Sequence, residues 1–116
     1  MINLENEVFL AISRCVDKDL DVQKYTQRGY CRAWAANAKR VVMQEVVLLG
    51  GISVEAREVD IDPWTTHSFL KITINNNAYL MDGSGIDQER SGFYGLEEEA
   101  PQYLKDSRPD IMINHY

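Results

Sequence analysis

Two stretches of the chain carry apolar residues at every third or fourth position, which is the period of an amphipathic α-helix. The first stretch covers residues 3–16 and the second covers residues 31–49. The second stretch has only a narrow polar face, so we expect that helix to be mostly buried. Gly29 permits a tight turn just before it, and Gly50-Gly51 ends it.

The apolar period then changes to two, which is typical of a β-strand with one buried face. Residues 52–61 alternate in this way, but the phase of the alternation shifts near Arg57-Glu58. A phase shift of this kind predicts a β-bulge. Asp62-Pro63 interrupts the strand, because proline cannot donate to a strand ladder.

Residues 67–74 and 78–82 alternate again, and Asn75-Asn76-Asn77 lies between them. Asparagine tolerates positive φ, so this pattern predicts a hairpin. Beyond it the chain is less regular. We expect a short broken helix within residues 96–105 and an edge strand at residues 111–113.

The length of 116 residues and the hydrophobic content of 45% predict one globular domain over residues 1–116. The 12 Lys and Arg residues against 18 Asp and Glu residues give a formal net charge of −6. Nucleic acid and anionic membranes are bound through clustered Lys and Arg, so this charge disfavours both as partners. The longest apolar run, residues 46–49, is also far too short to span a bilayer.

The N-terminus has no positively charged stretch of the kind that begins a signal peptide. We therefore expect a cytoplasmic protein, or one exported by a route without a cleavable signal peptide. The two cysteines, Cys15 and Cys31, cannot form a disulfide scaffold or an all-cysteine metal site, and His67 and His115 lie far apart. No cofactor or metal is expected, and the oligomeric state is left open.

Three residues with the chemistry of a thiol catalytic site fall at informative positions. Cys31 opens the buried helix, His67 opens a strand and Asp82 ends the next strand. A cysteine attacks as the thiolate, which the positive end of a helix dipole stabilises, and the free N–H groups there can receive an oxyanion. The positions suit Cys31 as the nucleophile, His67 as its base and Asp82 as the group that orients the base.

Each of these residues also has a purely structural interpretation. A cysteine on an apolar helix usually packs, a histidine near a strand end is usually structural, and Asp82 could be a turn residue. The combination of element types and chain order favours the catalytic interpretation of Cys31, His67 and Asp82. Cys15 lies late in its helix, where the negative end of the dipole disfavours a thiolate, and we interpret it as a core residue.

The strand register decides whether His67 and Asp82 can meet. A two-residue loop at Asn76-Asn77 would pair Lys71 with Asp82, on the same face as His67 but four residues away, or about 13 Å along a flat strand. A three-residue loop would place the two side chains on opposite faces. Twist, a bulge or a bend would have to close the gap.

Several segments of the chain resemble transglutaminase-like proteins. In that superfamily a Gly-X-Cys turn enters a buried helix, the helix end leads into a strand, and a histidine strand is followed by a turn and an aspartate strand. Arylamine N-acetyltransferases, on the same papain-like core, have a closely similar interval from histidine to aspartate. The similar segments here are Gly29-Tyr30-Cys31-Arg32-Ala33-Trp34-Ala35, residues 48–57, His67-Ser68-Phe69-Leu70 and Ala78-Tyr79-Leu80-Met81-Asp82.

The resemblance covers residues 29–85 and implies a papain-like (transglutaminase-like) α+β core. In such a core a central helix carrying Cys31 packs on an antiparallel sheet carrying His67 and Asp82. The resemblance implies that Cys31 attacks an acyl carbon, His67 shuttles the proton and Asp82 fixes the imidazole. It also implies that the offset between His67 and Asp82 is normal for the superfamily.

Some features depart from that pattern. Phe69 stands where these families often have tryptophan after the histidine, and the chain is too short for the substrate-binding domains of complete transglutaminases or N-acetyltransferases. Gln23 and Gln27 both precede Cys31 as candidates for a second oxyanion donor, and their spacing does not decide between them. Trp64 either lines a cleft or is a buried anchor.

The leading hypothesis is a small thiol hydrolase or acyltransferase that acts on an amide or thioester bond of a protein or peptide substrate. Peptidase, amidase, deamidase and transglutaminase share its first step, and an effector or toxin that modifies a target protein would use the same chemistry. The alternative is a non-catalytic binding module on the same fold. Its candidate partner surface comprises Phe93, Tyr94, Tyr103 and Glu97-Glu98-Glu99, and the role of residues 86–116 is left open.

Overall fold

The structure is a computed structural model that describes residues 4–27, 29–46, 50–84 and 92–114. Within these ranges a short 3₁₀ turn, Glu97–Glu99, accompanies the helices and strands. The helices are α1 (Leu4–Lys18), α2 (Leu20–Gln23), α3 (Cys31–Val46), α4 (Gln102–Lys105) and α5 (Ile111–Asn114). The strands are β1 (Ile52–Asp62), β2 (Thr65–Ile74), β3 (Asn77–Asp82), β4 (Phe93–Leu96) and β5 (Arg108–Pro109).

Both long helices predicted from the apolar period are present. α1 continues two residues beyond its predicted end, and its predicted first residue lies outside the described residues. α3 begins at Cys31 as predicted, and the last three residues of its predicted range, 47–49, also lie outside the described residues. The face of α3 that carries Trp34, Ala35 and Ala38 is fully buried, as its narrow polar face indicated.

The described strands form one antiparallel sheet in the order β4-β3-β2-β1-β5. α1 and α3 cover one face of this sheet through the main core, to which Ala56 and Leu70 contribute from the strands. The opposite face carries a smaller core in which Val59 and Phe69 pack with Leu104 of α4. The fold is therefore α+β, with helices packed on an open antiparallel sheet.

The change of apolar phase in β1 comes from these two cores. The predicted bulge at Arg57-Glu58 is wrong, because β1 pairs with β2 without interruption up to Asp60 and the register shifts only between Asp60 and Asp62. Ala56 belongs to the main core, whereas Val59 belongs to the smaller core on the opposite face. A strand that buries different faces along its length changes its apolar phase without any inserted residue.

The hairpin between β2 and β3 turns one residue earlier than the Asn76-Asn77 loop considered from the sequence. Its loop is Asn75-Asn76, and Asn75 takes the left-handed conformation with φ 56°. Asparagine adopts this conformation more readily than most residues. Lys71 consequently pairs with Leu80 and not with Asp82.

The C-terminal part of the described chain adds helices and two short strands. The short broken helix expected within residues 96–105 is present as the 3₁₀ turn and α4, whereas β4 was not predicted. The edge strand predicted at residues 111–113 is wrong, because these residues belong to α5. The Asp110 carboxylate accepts hydrogen bonds from the N–H groups of Met112 and Ile113 and so caps that helix. The edge strand is instead β5.

The described ranges contain no helix that is long and apolar enough to cross a membrane. They also contain no group of three or more His, Cys, Asp or Glu side chains placed to hold a metal ion. His115 lies outside these ranges.

Candidate active site

Cys31 is the first residue of α3, and the turn before it fixes its position. Gly29 has a φ of 91°, in the left-handed region that favours glycine. The carbonyl oxygen of Tyr30 accepts a hydrogen bond from the Trp34 N–H at 2.8 Å. Cys31 therefore lies at the end of α3 where backbone N–H groups have no partner within the helix. Its side chain is only partly buried, so a reagent can approach it.

The Cys31 thiol lies against one edge of β2. Through this stretch β1 covers the other edge of β2, and the ladder between β2 and β3 ends at the pair Leu70 and Met81. The Cys31 Sγ is 3.8 Å from the carbonyl oxygen of Thr66, and the backbone N–H of Ser68 donates to the sulfur. Beyond the last β2–β3 pair, the start of α3 therefore lies beside β2 in place of β3.

His67 and Asp82 meet across β2 and β3. Continuing the observed register past its last pair sets Asp82 opposite Phe69, two residues from His67, or about 6.6 Å along a strand. This offset is half of the one expected from the sequence, and both side chains stay on the same face. The His67 Nε2 lies 2.8 Å from the Asp82 Oδ2, and the two side chains are 3% and 1% exposed.

The two ring nitrogens of His67 serve different partners. Nε2 is hydrogen-bonded to Asp82, which leaves Nδ1 for the hydrogen bond between the imidazole and the Cys31 thiol. A carboxylate at one nitrogen determines which nitrogen carries the proton in the neutral ring. The structure therefore brings the three predicted residues together in the order thiol, imidazole and carboxylate.

These contacts favour a charged pair of Cys31 and His67. Burial opposes ionisation of the thiol most strongly, but the hydrogen bonds from His67 and Ser68 and the charge of His67 outweigh it and lower the pKa of Cys31. Burial also favours a neutral imidazole, yet the bonds and charges of Asp82 and Cys31 raise the pKa of His67 to about 9. Burial raises the pKa of Cys15, with Glu45 adding to the effect, so the two cysteines differ in chemistry.

Ser84 joins the end of β3 to the loop that precedes Cys31. Its N–H donates to the Asp82 Oδ1 at 3.3 Å, and its hydroxyl donates to the carbonyl oxygen of Gln27 at 3.2 Å. Ser84 itself is fully buried. Because one residue binds both segments, the carboxylate and the nucleophile loop are held in a fixed relation.

Gly83 allows the end of β3 to pack directly on α3. A Cβ at this position would overlap the indole ring of Trp34, which lies one turn after Cys31 and is 1% exposed. Only a residue without a side chain permits this approach. The contact fixes the distance between the helix that carries the thiol and the strand that carries the carboxylate.

The structure also places the other residues considered from the sequence. The Gln23 side-chain amide donates to the carbonyl oxygen of Asp17 at 2.8 Å, so that donor already has a partner. Gln27 has an exposed side chain and lies in the loop before Cys31. Trp64 is 93% exposed in the turn between β1 and β2, so it is not a buried anchor.

The aromatic residues considered as a partner surface contribute instead to the two cores. Phe93 and Tyr103 pack against the smaller core, and Tyr94 packs against the main core. The Tyr94 hydroxyl also donates to the Asp17 carboxylate at 3.0 Å. Their partial burial favours the core interpretation over the partner surface.

A mostly apolar groove runs beside the start of α3, with a volume of about 600 Å³. Tyr30 and Arg32, the two neighbours of Cys31 in the chain, both line it. Tyr25 forms part of the same wall, and Met112 of α5 lines the groove as well. Cys31 itself is not among the described residues that line this groove.

No protein-family model, curated protein or solved structure matches the chain. The resemblance to transglutaminase-like proteins therefore stays a prediction. The contacts of Cys31, His67 and Asp82 are the features from which a function can be inferred.

Proposed function

We propose that the protein is a cysteine-dependent enzyme on a papain-like, transglutaminase-like core, acting on an amide or thioester bond through an acyl-enzyme. The observation that carries the proposal is the hydrogen-bonded series from the Cys31 thiol through the His67 imidazole to the buried Asp82 carboxylate. The position of α3 on an antiparallel sheet supports the proposed core. The lowered pKa of Cys31 and the raised pKa of His67 support a thiolate and an imidazolium at neutral pH.

In the proposed first step the Cys31 thiolate attacks the carbonyl carbon and forms a C–S bond. The carbonyl oxygen becomes negatively charged, and backbone N–H groups at the start of α3 are suited to bind it. The His67 imidazolium gives its proton to the leaving nitrogen or sulfur, whose bond to the carbonyl carbon then breaks. Asp82 keeps the ring oriented and stabilises its positive charge.

In the second step the acyl-enzyme is resolved. Neutral His67 takes a proton from water or from an amine as that molecule attacks the acyl carbon. The bond between the carbon and the Cys31 sulfur breaks, and the thiolate and the imidazolium are restored. Water yields a carboxylic acid, which is the outcome of both peptide hydrolysis and deamidation, and an amine yields a new amide, so hydrolysis and transfer differ only in this step.

The groove at the start of α3 supports a protein or peptide as the substrate. It is open and mostly apolar, and the residues on both sides of Cys31 line it. An extended polypeptide that lies in such a groove would contact the chain neighbours of Cys31. The exposed indole of Trp64, three residues before His67, offers a further apolar contact at the β1–β2 turn.

Alkylation of the two cysteines tests the proposal without a known substrate. Both side chains are partly buried, so Cys15 serves as an internal control in the same sample. With iodoacetamide at neutral pH, followed by peptide mass spectrometry, Cys31 should be alkylated faster than Cys15. His67→Ala should lower the alkylation rate of Cys31 and leave that of Cys15 unchanged. A Cys31 that reacts only after denaturation would contradict an enzymatic role and favour the non-catalytic binding module.

Candidate peptide amides, glutamine-containing proteins and thioesters then identify the reaction. An acyl adduct on Cys31, and its absence in folded Cys31→Ser, would establish the first step. The mass of the product distinguishes cleavage, deamidation and cross-linking. His67→Ala and Asp82→Ala, each shown to be folded by circular dichroism, should lose the activity as well.

A further inference from the structure

Asp110 lies outside the three-residue site but contacts two of the chain segments that carry it. Its carboxylate is almost completely buried, and the Oδ2 atom contacts two side chains. It forms an ion pair with the Arg32 Nη2 and accepts a hydrogen bond from the Ser68 hydroxyl, each at 3.4 Å. The other carboxylate oxygen, Oδ1, caps α5 and takes no part in these two contacts.

The two partners of Oδ2 are the direct chain neighbours of the reacting residues. Arg32 follows Cys31 at the start of α3, and Ser68 follows His67 on β2. The Ser68 backbone N–H also donates to the Cys31 sulfur, so its position affects the thiol itself. One buried carboxylate oxygen therefore connects the nucleophile segment with the histidine segment.

The backbone of Asp110 anchors this carboxylate to the sheet. The Asp110 N–H donates to the carbonyl oxygen of Ala56 on β1 at 3.1 Å. Arg32 has a second anchor in Glu58, also on β1, at 2.8 Å. The start of α3 is thus held against β1 and β2 by side chains that do not contact the reacting atoms.

We propose that Asp110 is a positioning residue that sets the distance between the Cys31 thiol and the His67 imidazole by binding Arg32 and Ser68 together. The inference rests on the proposed function, since it concerns the reactivity of the same thiol. A displaced Ser68 N–H or a displaced α3 would weaken the contacts that favour the thiolate. Loss of Asp110 should therefore lower the nucleophilicity of Cys31 while the chain stays folded.

Asp110→Asn tests this inference because asparagine changes only one of the two oxygens. Its remaining oxygen can still cap α5, whereas its amide nitrogen is an uncharged donor that can neither accept from Ser68 nor form an ion pair with Arg32. We expect the pH midpoint of the alkylation rate of Cys31 to rise by about one unit, so that the rate measured below this midpoint falls by about tenfold. The pH dependence of the rate should move to higher pH accordingly.

Asp60→Asn is the matched control. Asp60 makes the same kind of contact, with Arg108 at 3.0 Å, but its side chain is exposed and binds neither Arg32 nor Ser68. Its substitution should leave the alkylation rate of Cys31 and its pH dependence unchanged. If Asp110→Asn reduces the folded fraction, Ser68→Ala serves as a second variant. It removes one contact of Oδ2 and keeps the cap of α5, and it should also lower the alkylation rate of Cys31.

The outcomes separate this inference from the proposed function. Slow alkylation of Cys31 with unchanged Cys15, in a folded variant, supports the positioning role. An unchanged rate and pH dependence in folded Asp110→Asn overturns it, and so does faster alkylation of both cysteines, which indicates only a loosened fold. If Cys31 of the unsubstituted protein is no faster than Cys15, the proposed function fails before the variants are compared.

Discussion

Replacing Asp82 with asparagine should slow the alkylation of Cys31 at neutral pH by about 10- to 100-fold. Asparagine has nearly the same shape as aspartate and can still accept a hydrogen bond from the His67 Nε2, which is 2.8 Å from the carboxylate. The substitution therefore removes the charge of Asp82 and preserves the position of the imidazole.

The magnitude follows from the pKa of His67. The pKa rises from 6.5 to about 9, although burial alone lowers it, and Asp82 supplies the larger of the two hydrogen bonds that raise it. That rise corresponds to about 3 kcal/mol in favour of the imidazolium. Two charges about 4 Å apart at an effective dielectric constant of about 20 give a similar value, about 4 kcal/mol.

Without the carboxylate charge, burial should return the pKa of His67 to its ordinary value or below it. The proton then stays on the Cys31 sulfur. The fraction of Cys31 that is present as the reactive thiolate falls by about 10- to 100-fold. Iodoacetamide alkylation measured by peptide mass spectrometry reports this fraction, with Cys15 as the control in the same sample. An unchanged rate in Asp82→Asn, with the thermal midpoint and circular dichroism preserved, would show that the Asp82 charge does not set the proton position.

Three further outcomes test other parts of the site. Gly83→Ala should lower the free energy of unfolding by about 1–3 kcal/mol, because the added Cβ overlaps the Trp34 ring. Gly50→Ala should cost much less, because the space around Gly50 is open. Equal losses for the two variants in urea titrations would contradict the packing of Gly83 on Trp34. The His67 imidazole signal, assigned by NMR with a His67→Gln variant, should stay protonated through neutral pH and titrate near pH 9, since its pKa is raised. Activity that needs the imidazolium should accordingly fall as the pH rises through that value, and a midpoint near the ordinary histidine pKa would refute it. Trp64→Ala should leave the thermal midpoint unchanged, because the side chain is 93% exposed. It should raise the KM for a peptide substrate, because an apolar contact with the substrate is lost. An unchanged KM would show that Trp64 does not contact the substrate.

The sequence was sufficient to predict the elements that carry the site. The apolar period is a local property of the chain, so it placed the start of α3 at Cys31 and the strands that hold His67 and Asp82. The loop of the hairpin was less determined. Three consecutive asparagines accept a turn at more than one position, and only the paired structure selects Asn75-Asn76.

Contacts between distant segments could not be predicted in the same way. Asp110 and Ser84 lie in stretches without apolar periodicity, and their roles depend on which segments fold against them. Gly83 leaves room for a close approach at the end of β3, but the sequence does not show that the Trp34 ring occupies this space. The phase shift in β1 is real, but it does not come from the predicted bulge. It arises because β1 buries opposite faces along its length, and the sequence does not show that the sheet has a core on both faces.

The contacts of Asp110 connect the chemistry of the site to the order in which the chain is synthesised. Asp110 lies 42 residues after Ser68 in the chain, and so it leaves the ribosome after Cys31, His67 and Asp82 have all emerged. A nascent chain can form the hairpin of β2 and β3 early, because its contacts are local, whereas the contact with Asp110 requires a long loop to close. Until α5 docks, the Cys31 thiol of a nascent chain would therefore lack the contact by which Asp110 is proposed to position it.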